Sequence, residues 1–487
     1  MLINKFVVLL NKNSNLFICK RLNWTASNSR LFSYLFDIPI DTFRKYKRDM
    51  KIPPLNENRI RATAALCEDL KIPKDDWLKY PILVKELAVT LEQHYMQLRE
   101  GGFTNVDAEI LSNYRKCVRK RISFLKKLNL IPQHTDVAEN FTSHLMPKPD
   151  FSISDLTDEN TFETIHHSIL TRYLMWRFKA SEDIIEKFCR VYALSKIKSF
   201  ENLSENFAIA EDLGFPPQKL LKYGYLLTVN PKHTKRVLSE MPIIAGVDIR
   251  KAMRIHPKLI GVRLEKYTEM YDYLNKQNIS DESIQKCMDI FTISMQILKC
   301  RLEEIKSIPE LNILINSPYF LELIIHHNEA RSRLTFLQQI KLKCATTGLL
   351  CSKVDNFHSH VRESRDHNTI SEILFLLKTL LQADGNKLEM NLRKHCYFKN
   401  IPLVDIEKSC KLLKKLKFSN KSITEVIQVV LYPCEKIEKA FAELKKVNHV
   451  PPRRISQIEK LNLILYFMEK EHHFTGNGVW KDDEQKF

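Results

Sequence analysis

The feature that most constrains this chain is a stripe of three apolar residues, seven apart, that recurs along it. Val84, Leu91 and Leu98 form one such triad, and Leu111, Val118 and Leu125 form the next. Further on stand Leu227, Thr234 and Met241, then Ile260, Tyr267 and Leu274, then Phe291, Leu298 and Ile305, then Leu323, Ala330 and Leu337, and near the end Val430, Ile437 and Leu444. The leading residues at 227, 260, 291 and 323 lie 33, 31 and 32 apart. Residues seven apart fall on nearly the same face of a helix, so each triad is a stripe that has to be buried. One short unit cannot bury its own stripe, whereas stacked units can, and the expected product is an all-α solenoid of roughly 30–35-residue repeats. No strand alternation is evident.

Proline marks the corners. Pro81 precedes Val84 and Pro257 precedes Ile260 by the same three residues. A residue without an N–H ends one helix and suits the first turn of the next. Two stretches interrupt the pattern. Residues 132–160 hold Pro132, Pro147 and Pro149 among many acids and hydroxyls, and read as a linker or insertion. Residues 346–368 are rich in His, Ser and charge. The expected organisation is therefore 1–36 an address segment, 37–131 an arm with the first repeats, 132–160 a linker or insertion, 161–450 the main array, and 451–487 a basic helix and tail.

Residues 1–36 contain Lys5, Lys12, Lys20, Arg21 and Arg30 and no acid. An acid-free, basic, amphipathic start is the composition of a mitochondrial presequence, and Arg30-Leu31-Phe32-Ser33 resembles a matrix-processing site. That points to the mitochondrial matrix. No apolar run is long enough to span a bilayer, so no membrane partner is expected. The whole chain carries a net charge of +18, and without residues 1–36 it is still +13. Such an excess favours a polyanionic partner.

Catalysis finds little support. Only 10 residues are Gly, against a phosphate-cradling loop or dinucleotide turn, and there is no HExxH, nucleophile elbow or CxxC pair. The 11 Cys are an odd set without zinc spacing, and adjacent pairs such as His166-His167 diverge by about 100° on a helix and cannot chelate alone. No catalytic residue, metal or cofactor is expected.

A repeat of this length, with proline followed by apolar residues at seven-residue spacing, resembles the mitochondrial transcription termination factor (mTERF) family. Tyr80-Pro81-Ile82-Leu83-Val84 with Leu91 and Leu98, and His256-Pro257-Lys258-Leu259-Ile260 with Tyr267 and Leu274, carry the resemblance, and Leu213-Gly214-Phe215 looks like the usual opening of a unit. It extends over roughly residues 61–131 and 165–450. Other units depart from it: the proline slot holds Ala108, Gly224, Met288 and Phe320, and Thr234 and Ala330 are poor core residues. The resemblance implies a curved superhelix of helical triplets with a basic concave groove that holds duplex mitochondrial DNA; some members of the family look instead to ribosomal RNA.

Positive charge recurs partly in register. Arg121, Arg301 and Arg333 each stand four residues before the last member of their triads, and Arg236 stands five before Met241. Equivalent places in stacked repeats form a row, which would line one edge of a groove. Met270, His94 and Ala440 break that row. With Arg119 beside Arg121, Lys235 beside Arg236, Arg263, and Lys414 and Lys415 in a C-terminal cluster, these are the candidate nucleic-acid contacts, since Arg and Lys to phosphate supply most of the affinity for a duplex. The expected partner is double-stranded mitochondrial DNA. Mitochondrial ribosomal RNA, another protein of the same family and the transcription machinery are the other candidates. A protein-docking solenoid would show little salt-dependent nucleic-acid binding. Pentatricopeptide repeats, of similar length, lack heptad triads after proline.

Overall fold

The computed structural model describes residues 28–315, 317–363, 366–446 and 455–470. Thirteen-residue helices dominate it: Glu57–Asp69, Ala88–Glu100, Phe200–Asp212, Leu264–Lys276, Met295–Ser307, His327–Gln339, Leu403–Lys415, Cys434–Lys446 and Gln457–Glu469. At 1.5 Å per residue each is about 20 Å long. Between them run a short helix and a single-turn element, as in the succession Asp281–Lys286, Met288–Thr292, Met295–Ser307. The fold is an all-α array of helical repeats.

Both helix ends are written locally. Asn56, Asp107, Ser199, Asp248, Ser280, Ser294, Asp384 and Ser419 each stand just before a helix and accept a hydrogen bond from the backbone N–H three residues on. This satisfies one of the donors that a helix start leaves free. At the other end a left-handed residue is followed by an apolar one: Lys71-Ile72, Gly102-Phe103, Gly214-Phe215, Asn278-Ile279, Lys341-Leu342 and Lys417-Phe418. The apolar residue returns its N–H to a carbonyl five back, as Phe103 does to Leu98 at 3.0 Å and Phe418 to Leu413 at 3.1 Å. Such closures normally take glycine. Here Lys and Asn fill most of them, which is how a chain with so few glycines turns this often.

All triad residues are buried except Met241 and Leu444, which are half-buried. The triads nevertheless straddle a corner. Phe291 lies in the turn Met288–Thr292, while Leu298 and Ile305 lie in the helix that follows, and the same division holds for Val84, Leu227, Ile260, Leu323 and Val430. Pro81 and Pro257 open the short element.

The described chain forms two compact units, Met1–Lys235 and Arg236–Phe487. In the first, helix Phe162–Phe178 runs through the interior with Ile165, Ile169, Leu170, Tyr173 and Leu174 buried. Gly101 lets the end of Ala88–Glu100 approach it, since a Cβ there would lie 2.2 Å from the Phe162 ring. Residues 132–160, expected as a linker or insertion, are a packed part of this unit. Helix Val137–Ser143 buries Phe141 against Phe162, His166 and Phe200, and Asp158 holds the buried Lys126 at 2.6 Å.

Three further expectations change. Residues 1–27 lie outside the described part, but residues 28–36 are helical, and the buried Phe32 stacks on Phe36 and Phe43 at 4.2 and 4.1 Å. A boundary at 36 would discard two core aromatics. Strands do occur: Ile243–Ile244 pairs antiparallel with Val247–Asp248 around Ala245-Gly246, both at positive φ. Lastly, helix Gln457–Glu469 is not basic, because Glu459 and Glu469 outnumber Lys460; Arg453 and Arg454 lie outside the described residues.

Candidate nucleic-acid interface

Two arginines of the row, Arg301 and Arg333, form a structural device. Arg301 is the seventh residue of Met295–Ser307 and donates to the carbonyls of Ile324 and Ile325 at 2.7 and 3.0 Å. Arg333, seventh in His327–Gln339 and only 8% exposed, donates to those of Leu350 and Ser352, both at 2.7 Å, and lies over the Phe357 ring. Asn206 and Ser409, also seventh in their helices, do the same toward Leu227 and Val229 and toward Tyr432. Every one of these acceptors ends the short element of a following repeat, where carbonyls have no partner within the helix. His94, Met270 and Ala440 hold the seventh place in other helices and are buried as well. A residue four before one stripe residue and three after another shares the stripe's face. Arg301 and Arg333 therefore hold repeats together and leave the candidate interface.

The other seven candidates lie at the surface. Arg121 precedes helix Ile122–Lys127 and pairs with Glu159 at 3.0 Å. Lys235 pairs with Glu205 at 2.8 Å, and Arg236 with Glu240 at 2.8 Å and with Glu265. These partners are exposed or half-exposed acids, and pairs of this kind contribute roughly 0–1 kcal/mol, so exchange for a phosphate costs little. Lys414 donates to the Leu380 carbonyl at 2.5 Å. Arg119, Arg263 and Lys415 are exposed and have no side-chain hydrogen bond or ion pair among the described residues.

Charge outside the expected row is as prominent. Between Asp248 and Glu265 there is no acid, and Arg250, Lys251, Arg254, Lys258 and Arg263 fall within that run. Helix Ile249–Ile255 buries Ala252 and Met253 and turns Arg250, Lys251 and Arg254 to solvent, and Lys258 follows in the next turn. In the first unit residues 110–135 are likewise acid-free, with Arg115, Lys116, Arg119, Lys120 and Arg121 exposed in sequence around helix Tyr114–Cys117. With no acid in their own segments, both runs carry a local excess of positive charge, although Arg115 and Arg121 pair with Glu86 and Glu159 from elsewhere in the chain. The test that marks residues 1–36, absence of acid, would have found both runs.

The interior of the first unit beside this run is polar. Gln97 donates to the Lys198 carbonyl at 3.1 Å, lies 3.1 Å from His166 Nε2, and accepts from the Tyr114 hydroxyl. Glu100 accepts from the N–H groups of Phe200 and Glu201 at 2.8 and 2.9 Å, capping a helix from across the fold. Burial pushes His94 and His166 down to about 4, and Arg115 adds to this at His94. Both imidazoles are neutral at neutral pH. Burial raises Glu100 to about 7 against the opposing pull of the two N–H groups. Among the described residues no helix is long and apolar enough to cross a membrane, and no cluster of His, Cys, Asp and Glu has the arrangement of a metal site.

No family model and no solved structure matches the chain. Over 419 residues it is 28% identical to transcription termination factor 5, mitochondrial, of Drosophila melanogaster, taking in 84% of this chain and 75% of that one. That likeness supports the resemblance to the mitochondrial transcription termination factor family. The tethers from the seventh helix position show how this chain joins its repeats.

Proposed function

We propose that this protein is a non-catalytic mitochondrial factor that binds double-stranded DNA and regulates mitochondrial transcription, by pausing or terminating the polymerase or by modulating its access. The observation that carries the reading is the pair of exposed acid-free basic runs, residues 110–135 in the first unit and 249–264 in the second. The name of the Drosophila relative supports the mitochondrial and transcriptional setting, as does the composition of residues 1–36. Phosphate contacts made by such runs release counterions, so affinity falls steeply with salt, and bending or local unwinding of the duplex needs no chemistry. Another protein of the family or the transcription machinery would be the natural co-partner.

The test is binding of the protein to tiled duplex fragments of mitochondrial DNA, with structured mitochondrial ribosomal RNA as competitor, at low and moderate salt. A few fragments should stand out and survive both. Replacing Lys251, Arg254 and Lys258 by Gln should weaken all fragments alike and lower the salt dependence by about one unit of slope for each phosphate the variant no longer reaches. Preference for the RNA would replace this reading with a role in ribosome assembly, and binding to neither would overturn it in favour of a protein partner.

A further inference from the structure

The first unit contains a cleft of about 730 Å³ among helices Ala88–Glu100, Tyr114–Cys117 and Phe162–Phe178 and the turn Ala193–Ile197. That volume is in the range of sites for nucleotide-sized ligands. Its lining carries Arg115, Arg119 and Lys196 against a single acid, Glu163. All three cations are exposed, and of them only Arg115 has an ion pair among the described residues, at 3.7 Å to Glu86. The wall is polar. His94 stacks on Tyr114 with ring centroids 3.7 Å apart, and Gln97 joins Tyr114 to His166. Thr90, Thr164 and Ser168 add hydroxyls. Lys196 comes from a segment about eighty residues from Arg119 in the chain, so the convergence is a product of the fold.

We infer that this cleft binds one phosphate-bearing nucleotide unit, with Arg115, Arg119 and Lys196 around the phosphate and the polar wall of His94, Tyr114 and Gln97 beside the base. Three cations at one opening suit a dianionic or bridging phosphate better than a carboxylate. The flat aromatic wall and hydroxyl-rich lining suit a planar, hydrogen-bonding base. The site rests on the nucleic-acid reading in one respect, that a bound strand is a natural source of the unit. A free nucleotide offers the same chemistry.

The experiment uses the full chain and three probes: a short single-stranded oligodeoxynucleotide, deoxyadenosine monophosphate and the preferred duplex fragment. The double variant Arg119→Gln, Lys196→Gln removes charge at exposed positions. Ser168→Phe narrows the cleft and leaves the charge intact. Circular dichroism establishes that both remain folded. The expected result is saturable binding of the oligonucleotide, weakened about tenfold or more by either variant. Parallel weakening of the mononucleotide would show that free nucleotides enter; weakening of the oligonucleotide alone would make the strand the source. If both variants bind the oligonucleotide and the mononucleotide as the unaltered protein does, or if the unaltered protein binds neither, the inference is overturned, even where duplex binding persists. Absence of duplex binding together with retained, cleft-dependent mononucleotide binding would overturn the transcription reading and keep the site.

Discussion

The two units solve the same packing problem with different materials. In the second, apolar stripes such as Phe291, Leu298 and Ile305 fill the interior, and single donors from the long helices tie off the carbonyls of the next repeat, as Asn206 also does in the first. In the first, elements about a hundred residues apart meet through a buried polar seam of Gln93, Gln97, Glu100, His166 and Ser199. A stripe is non-directional and tolerates slight misfit. A buried polar seam holds one arrangement only, because each unsatisfied group costs about 1–3 kcal/mol. The seam also lies next to the cleft.

The difference should show most strongly when a stripe of the second unit is emptied. Phe291 is fully buried, and Phe291→Ala should cost about 3–5 kcal/mol. Trp77 and Trp176 lie in the first unit, so in a background with Trp24 and Trp480 replaced by Phe their fluorescence follows that unit, while far-ultraviolet circular dichroism follows both. A lowered dichroism midpoint with an unmoved fluorescence midpoint is expected. Equal shifts would mean that the units melt as one and that their difference in material has no thermodynamic consequence.

A smaller effect separates cations that build the fold from those that face solvent. Arg333→Gln should lose about 2–3 kcal/mol, since it withdraws a charged donor from two carbonyls, and should leave nucleic-acid affinity unchanged once the protein is folded. Arg119→Gln should stay within about 0.5 kcal/mol in stability and weaken binding. Denaturant titration and binding on the same two variants decide this, and a stable Arg333→Gln protein with impaired binding would restore Arg333 to the interface.

Acid should distinguish the seam from the stripes. His94 and His166 stand at about 4 in the fold, below their ordinary 6.5. Both take up protons on unfolding between those values, so their contribution is complete above about pH 6.5 and is lost as the pH falls toward 4. Glu100, raised to about 7 from 4.5, acts with the opposite sign, because the fold holds its proton more tightly than the unfolded chain does. Two groups outweigh one. The tryptophan-reported midpoint should fall between about pH 6.5 and 4.5, and Glu100→Gln should make the fall steeper. A flat profile in both proteins would remove the seam as a source of pH dependence.

The smallest effect tests the turns. Lys341 closes its helix at φ 61°, a conformation that costs a residue with a side chain about 1 kcal/mol. Lys341→Gly should therefore stabilise the second unit by a few tenths of a kcal/mol up to about 1, after the added freedom of glycine in the unfolded chain is counted. Destabilisation would show that the lysine side chain itself holds the turn.

Much of the repeat is legible in the sequence. Residues seven apart share a face wherever a helix forms, so the triads were bound to mark the core, and Ser, Asp and Asn at helix starts act on backbone only three residues away. Heptad spacing also crosses the corners without a trace, because the stripe continues on one side of the array whether or not the helix is continuous. The burial of Arg301 and Arg333 is legible too. Four residues before a stripe member within one helix is the stripe's own face, and for Arg301 and Arg333 the recurrence that looked like a groove edge is a seam. Only local geometry is needed for any of this.

Which distant groups meet is a matter for the tertiary structure alone. Nothing near Glu100 in the chain signals that it caps a helix starting at Phe200, and nothing near Lys196 signals Arg119. Residues 132–160 look like a linker by composition, yet Phe141 makes them core, because burial depends on what the rest of the chain brings to that ring. Local interactions act over three to seven residues and leave a periodic trace in the sequence. Contacts across the fold leave none, since their spacing is set by the accumulated path of every helix and turn between them.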